Sequence, residues 1–432
     1  MSRFFKILQN RAIGKSVATN VFWLFVEKAV RGVLVLTIGV WIARYLGPAK
    51  YGTLSFALSV ASIFGVIAAG GLKGIVVRDI LESRRNTIQT IQAAMCIHLA
   101  GSIICAGIII LFSDWLSAYP VVLVVLGIRL IFQPSMVIRY WFESQVESKY
   151  TVWIDIVAAV LLAASQAVLI YKESAIELFA LCYLGESAIA ALGLFYIYKK
   201  KQGTNPMGVP NFATVKSLIV DSWPLLLSSI SIIIYTRVDQ VMLSRMTGDI
   251  SVGHYSAALR FSEVWYFVPI IITASSFPGI TKLRERRDIY HKKIKELLSR
   301  MVLVSAVIAL VISLVAGPLV MMFYGIEYAG SENVLAAHVW TGLFASMGVV
   351  SGKWMIAESL QKIALYRNMA GMVVNILLNM WLIPIWGPVG AAIASLVACI
   401  IAFYLVDSVF PKTRSMFKMK TEVLFGLLQR NN

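Results

Sequence analysis

From residue 17 to residue 410 the chain reads as a train of apolar stretches, each long enough to cross a bilayer, separated by short polar connections. A crossing helix needs about twenty mostly apolar residues at 1.5 Å of rise each. Twelve segments meet that length, predicted over 17–43, 53–72, 89–112, 119–140, 152–171, 176–198, 217–245, 252–280, 301–324, 334–357, 364–386 and 388–410. The last two are divided by "IPIWGPVGAA" (Ile383–Ala392), whose Pro and Gly turn the chain. Only 14% of the 432 residues are charged and 59% are hydrophobic, with a mean hydropathy of +0.79. Soluble domains carry about 25% charged residues. A water-soluble core is excluded, and the expected fold class is an all-α integral membrane protein.

The formal net charge of +17 raises the question of nucleic acid. The distribution answers it, because the basic residues fall in short runs between apolar segments, the pattern that orients membrane helices. Alternate connections sort 29 Lys and Arg to one side, against Arg44, Lys50, Lys172 and Arg245 on the other, with six inside helices. Twelve crossings with both termini cytoplasmic are expected, and no nucleic-acid partner. The basic lead-in (Arg3, Lys6, Arg11, Lys15) precedes too long an apolar stretch for a signal peptide and reads as cytoplasmic.

Two distant stretches match. "WIARYLGPAKYGTLSFA" (Trp41–Ala57) and "MLSRMTGDISVGHYSAA" (Met242–Ala258) pair Arg44 with Arg245, Gly47 with Gly248, Gly52 with Gly253, Ser55 with Ser256 and Ala57 with Ala258, all at an offset of 201. A tight turn explains a Gly or a Pro, but not five matches at one offset. The offset spans six helices, so the expected organisation is two six-helix lobes in parallel repeat: 1–198, a cytoplasmic linker 199–216, 217–410, and a basic cytoplasmic tail 411–432. Transporters built from parallel repeats bind substrate between the repeats, so a central cavity between the lobes is expected.

The stretch "ARYLGPAKYGTLSFA", the Gly-rich "AAGGLKG", the exit "VRDI" and "RVDQVMLSRMTGDISVGHYSAALRFSE" in the second lobe resemble bacterial polysaccharide flippases. These are the O-antigen and exopolysaccharide exporters of the multidrug/oligosaccharidyl-lipid/polysaccharide superfamily, and the resemblance covers the whole twelve-helix layout. It implies a multi-pass protein of the bacterial inner membrane that moves polyprenyl-diphosphate-linked oligosaccharide from the cytoplasmic to the periplasmic leaflet. It also implies membrane lipids, a polysaccharide polymerase and a chain-length regulator as partners, and no cofactor. The motif "AALRFSEVWYFVP" is similar to peptidoglycan-precursor flippases, relatives in which a helix 8 arginine faces the central cavity. That resemblance assigns Arg260 to substrate, and with it Arg31 and Lys28 on helix 1.

Charge placement leads to the same residues. An ionisable group near the bilayer centre costs at least ~2.5–3.5 kcal/mol, so those present face a wet cavity or a partner. Helix 1 carries Glu27, Lys28 and Arg31, with Glu27 and Arg31 spaced i,i+4. Helix 8 carries Arg260 and Glu263 at i,i+3, and helix 7 carries Arg237 and Asp239, which do not face each other. Arg129 lies on helix 4, Glu186 on helix 6 and Lys353 on helix 10. Arginine stays ionised and grips phosphate through two parallel bonds. Arg31, Arg260, Lys28, Arg237 and Arg129 are therefore the candidate diphosphate ligands, and Glu27, Glu263 and Asp239 the candidates for coupling to protons or Na⁺. Lys353 and Glu358 read as snorkelling or structural groups, and Asp155 and Asp407 as interfacial.

Two other functions are weighed. A cation or drug antiporter of the same superfamily needs a negative cavity, whereas the helix-borne charges here are mostly positive. A membrane polymerase or glycosyltransferase needs a sizeable outer loop or paired catalytic acids, and the outer connections are a few residues each. No GxSxG, HExxH or Walker A pattern occurs, so the chain is expected not to be an enzyme. Cys96, Cys105, Cys182 and Cys399 all lie in apolar runs and the four His are scattered, so no metal site is expected.

Overall fold

The computed structural model describes residues 11–203, 206 and 208–429. Arg3, Lys6 and Arg430, which contribute to the predicted cytoplasmic charge, lie outside the described residues. The described residues form helices and turns without a strand. Among the described residues, ten helices are long and apolar enough to cross a membrane, and two of them, Phe22–Leu81 and Gln361–Val409, are each long enough for two crossings and are broken by a kink. Gly47 (φ 69°) with Pro48 breaks the first, and Gly387 (φ 54°) with Pro388 breaks the second. Twelve crossings result: α1 (11–46), α2 (48–68), α3 (Thr87–Leu111), α4 (Pro120–Ser144), α5 (Lys149–Tyr171), α6 (Ile176–Gln202), α7 (Phe212–Thr247), α8 (Asp249–Thr281), α9 (Arg287–Leu314), α10 (Ser331–Ala357), α11 (361–386) and α12 (388–409). A further helix, α13 (Arg414–Gln429), follows.

The chain forms two compact units. One contains the residues up to Gly39 together with Val60–Ile230; the other contains Val40–Ser59 and the residues from Ser231 onward. Their boundary differs from the predicted division around 199–216, because the hairpin joining α1 to α2 packs with α7 and α8. The repeat explains that packing. Gly47 and its match Gly248 both hold a left-handed φ, 69° and 87°, where a side chain is strained. A Cβ on Gly52 would sit 1.8 Å from the carbonyl oxygen of Asp249, and one on Gly253 would sit 2.0 Å from that of Pro48. Pro48 and Asp249 stand at the same offset of 201. The two turns thus interlock backbone against backbone about a local two-fold relation, and each matched glycine admits the other turn. Thr53 Oγ1 donates to Asp249 Oδ2 at 2.7 Å, and Tyr328 OH to the Ala43 carbonyl at 2.7 Å.

In the first unit Ile91, Met95, Val137, Trp141, Leu194 and Tyr198 join α3, α4 and α6 in one apolar core. In the second, the predicted start of helix 9 at residue 301 is corrected to Arg287, and its end from 324 to Leu314. The basic stretch hides a buried stripe, Tyr290, Ile294, Leu297, Leu298 and Met301, at helical spacing. That stripe packs against Met416, Met419 and Val423 of α13, so most of the expected tail 411–432 is a docked helix. Lys420 of α13 is fully buried, bonded to Asp407 Oδ2 (2.6 Å), the Phe403 carbonyl (2.6 Å) and Ser351 Oγ (3.0 Å). Phe403 lies in a π-helical turn, Ile401–Leu405, where the backbone register slips and a carbonyl is left for an outside donor. Asp407 and Asp155, expected at the interface, are both buried, paired with Lys420 and Arg139.

Candidate functional site

The candidate residues fall in two groups, one in each unit. In the first unit the group is built around Glu186 of α6, only 7% exposed. Arg31 of α1 reaches it from Nη2 at 2.9 Å, and Arg129 Nη2 lies 3.9 Å from its second oxygen. Arg129 also donates from Nε to Ser187 Oγ at 2.6 Å. It starts a 3-10 segment, Arg129–Ser135, that interrupts α4 and contains Pro134. Glu27 lies 3.8 Å from Arg31 Nε and 3.4 Å from Lys28 Nζ. The carboxylates are buried, whereas the Arg31 side chain is 41% exposed and that of Lys28 61%. Three cations face two carboxylates, and the cations are the accessible members. Glu186 fastens two arginines from different helices, which leaves their outer N–H groups for an anion.

In the second unit Arg237 Nη2 lies 3.9 Å from Glu263, a pairing that the i,i+3 spacing with Arg260 does not predict. Arg260 donates from Nε to the Tyr51 hydroxyl and lies over that ring, 5.5 Å from its centroid. Tyr51, Tyr324 and Tyr328 form an aromatic bed beneath it. Asp239 is turned away from Arg237 and buried at 1% exposure. Its carboxylate accepts from Tyr255 OH at 2.5 Å, Asn379 Nδ2 at 2.5 Å and Ser395 Oγ. Asn379 also donates to Asn375 Oδ1 at 3.2 Å, and its own Oδ1 has no hydrogen-bond partner. Asp239 has no ion-pair partner among the described residues. Its neighbours are a phenol of α8, an amide N–H of α11 and a hydroxyl of α12, all neutral and all donating to the carboxylate.

Structure thus groups Lys28, Arg31, Arg129 and Glu27 in one unit, and Arg237, Arg260, Glu263 and Asp239 in the other. Spacing did not reveal Tyr51, Tyr255, Asn375, Asn379 and Ser395. The signal available was two amides at i,i+4 in an apolar crossing, which is costly in a bilayer without a partner. Lys353 is exposed.

The chain is 25% identical over 404 residues to a Haloferax volcanii protein named "Probable flippase AglR", covering 87% of this chain and 79% of that one. It is 26% identical over 188 residues to a Shigella dysenteriae protein named as an O-antigen transporter, covering 42% and 46%. Among solved structures it is similar to the lipid II flippase MurJ in an inward closed conformation, with a TM-score of 0.70, 15% identity and coverage of 95% and 92%. A MatE family model matches residues 224–381. The model described as "Polysaccharide biosynthesis protein" matches residues 17–284, well over half of the sequence, and the chain belongs to that family.

Proposed function

We propose that the protein is a transporter rather than an enzyme, a flippase that carries polyprenyl-diphosphate-linked oligosaccharide units from the cytoplasmic to the periplasmic leaflet of the inner membrane by alternating access. The observation that supports this reading is the excess of cations over carboxylates on the apolar helices, with the accessible cations of the first unit set on buried carboxylates. Lys28, Arg31, Arg129, Arg237, Arg260 and Lys353 stand against Glu27, Glu186, Asp239 and Glu263, a balance that favours an anionic headgroup. Each arginine carries a carboxylate or phenol that holds it in place and leaves part of its planar fork for the diphosphate. The glycan then rides in water and the hydrocarbon tail stays in lipid. Both termini face the cytoplasm in this reading, and a polymerase and chain-length regulator consume the product.

Coupling falls to Asp239 rather than to Glu27 or Glu263, which already face cations. Asp239, Asn375, Asn379 and Ser395 would hold Na⁺ through oxygens, or Asp239 would take a proton. The MatE match favours a second reading, an antiporter for cationic compounds. Vesicles containing the purified chain separate the two. The flippase makes a lipid-linked oligosaccharide accessible to an external glycosidase, faster with an ion gradient, and does not extrude a cationic dye. Dye extrusion without glycan movement would reverse the assignment.

A further inference from the structure

The first unit contains an apolar cavity of about 480 Å³ between α3, α4 and α6 that no part of the charged site uses. Its walls include Cys96 and Leu99 of α3, Ile131 and Phe132 of α4, and Leu192 and Phe195 of α6. At its predicted inner end lie the linker residues Pro206, Gly208 and Pro210. Gly208 is seated so closely on α3 that a Cβ there would lie 2.2 Å from the Gln92 amide nitrogen. Leu99, Ile131 and Leu192 are exposed side chains on crossing helices, so the groove lies open to the bilayer. An empty apolar groove forfeits packing contacts on its open side, so hydrocarbon is the occupant its walls suit.

What identifies the occupant is the groove's continuity with the Arg129 group. In a 3-10 helix residues i and i+3 eclipse, so Arg129, Phe132 and Ser135 share one face, and the last two line the groove. On α6, Ser187 and Ala191 are spaced i,i+4 and also share a face; Ser187 binds Arg129 and Ala191 lines the groove. The guanidinium therefore stands one turn from the apolar wall on both helices. Pro134, which has no N–H to donate, lies in the 3-10 segment that departs from regular α-helix at this point. A cationic anchor joined to a hydrocarbon-lined groove fits an amphiphile with an anionic head and a long tail.

We propose that this groove seats the first isoprenoid units of the lipid-linked substrate while the diphosphate engages Arg129 and Arg31. The proposal rests on the flippase reading and extends it, assigning the first unit a tail site beside its headgroup site.

The test uses the full chain in phosphatidylethanolamine/phosphatidylglycerol vesicles and a polyprenyl monophosphate bearing a diazirine in the tail near the phosphate. The expected result is photolabelling within 92–99, 131–135 and 191–195. Excess unlabelled polyprenyl monophosphate competes it away and dioleoyl phosphatidate does not. Leu192→Trp and Ile131→Trp, exposed positions on opposite walls, each reduce labelling several-fold. Equal competition by phosphatidate assigns the groove to bulk lipid and overturns the proposal, as does labelling scattered over other helices. Labelling needs no transport, so a labelled groove in a protein that moves no glycan lipid overturns the flippase reading alone. Undiminished glycan movement in a protein without groove labelling overturns the groove alone.

Discussion

Replacing Gly253 by Ala puts a methyl group 2.0 Å from the Pro48 carbonyl oxygen, where ordinary contact begins at 3.4 Å. The two turns must therefore part by about 1.4 Å. Both sides are backbone, so no side chain can swing aside. Overpacking of this kind costs ~1–3 kcal/mol, offset by up to ~1 kcal/mol because Ala is the better helix former. Gly107→Ala is the control, since nothing lies within 4 Å of a Cβ at that helical position; it keeps the propensity gain without the clash. Thermal unfolding of the purified protein in detergent should place Gly253→Ala and Gly52→Ala below wild type and Gly107→Ala at or above it. The double variant Gly52→Ala/Gly253→Ala should cost less than the two single losses together, because one parting of the turns accommodates both methyl groups. If Gly253→Ala is as stable as Gly107→Ala, the interlocked turns are not the reason for the repeat.

Asp239→Asn should remove the dependence of transport on an ion gradient while membrane abundance stays normal, read in vesicles with and without the gradient; unchanged gradient stimulation rules Asp239 out. Burial lowers Lys420 to about 8 from an ordinary 10.5. Between those values the released lysine keeps a proton that the docked one has lost, so docking of α13 strengthens as pH rises from 8 towards 10.5. Cleavage after α13 opens should accordingly be slower at pH 9.5 than at 7.5 with a protease equally active at both, and faster cleavage at 9.5 would contradict this. Reporter fusions at Gln202, Glu285 and Lys418 should be cytoplasmic and those at Pro48, Glu173 and Asp249 periplasmic; a periplasmic signal at Glu285 breaks the parity of the second half.

The twelve crossings were legible because bilayer thickness sets a length that hydropathy reads directly. The repeat was legible as well, since Gly47, Gly52, Gly248 and Gly253 are fixed by backbone geometry and the sequence records them in place. The reason for the second pair was not, because the contact partner of each glycine lies about two hundred residues away. Helix α9 was misplaced for a related cause. Its first turns are basic on one face and buried on the other, and an averaged window sees only the charge. Among the site residues, spacing found Glu27 with Arg31, which share one helix. It could not anticipate that Glu186 binds Arg31 and Arg129 across three helices, or that Arg260 rests on Tyr51. Asp239 was visible as a charge, but its neutral partners on α8, α11 and α12 belong to tertiary structure alone.

The flippase proposal stands on Arg31 and Arg260 each engaging the anionic headgroup. The most direct measurement compares surface polysaccharide with membrane abundance in cells lacking the native copy and supplied with Arg31→Ala, Arg260→Ala or Arg260→Lys. Abundance should be normal throughout, and surface polymer should be lost in both alanine variants. Arg260→Lys should recover only part, because an ammonium keeps the charge without the planar fork that stacks on Tyr51 and grips phosphate. Lys353→Ala should leave polymer near the wild-type level. Full surface polymer in Arg260→Ala at normal abundance would refute a role for Arg260 in headgroup binding, and so would a loss of polymer that only follows a loss of protein.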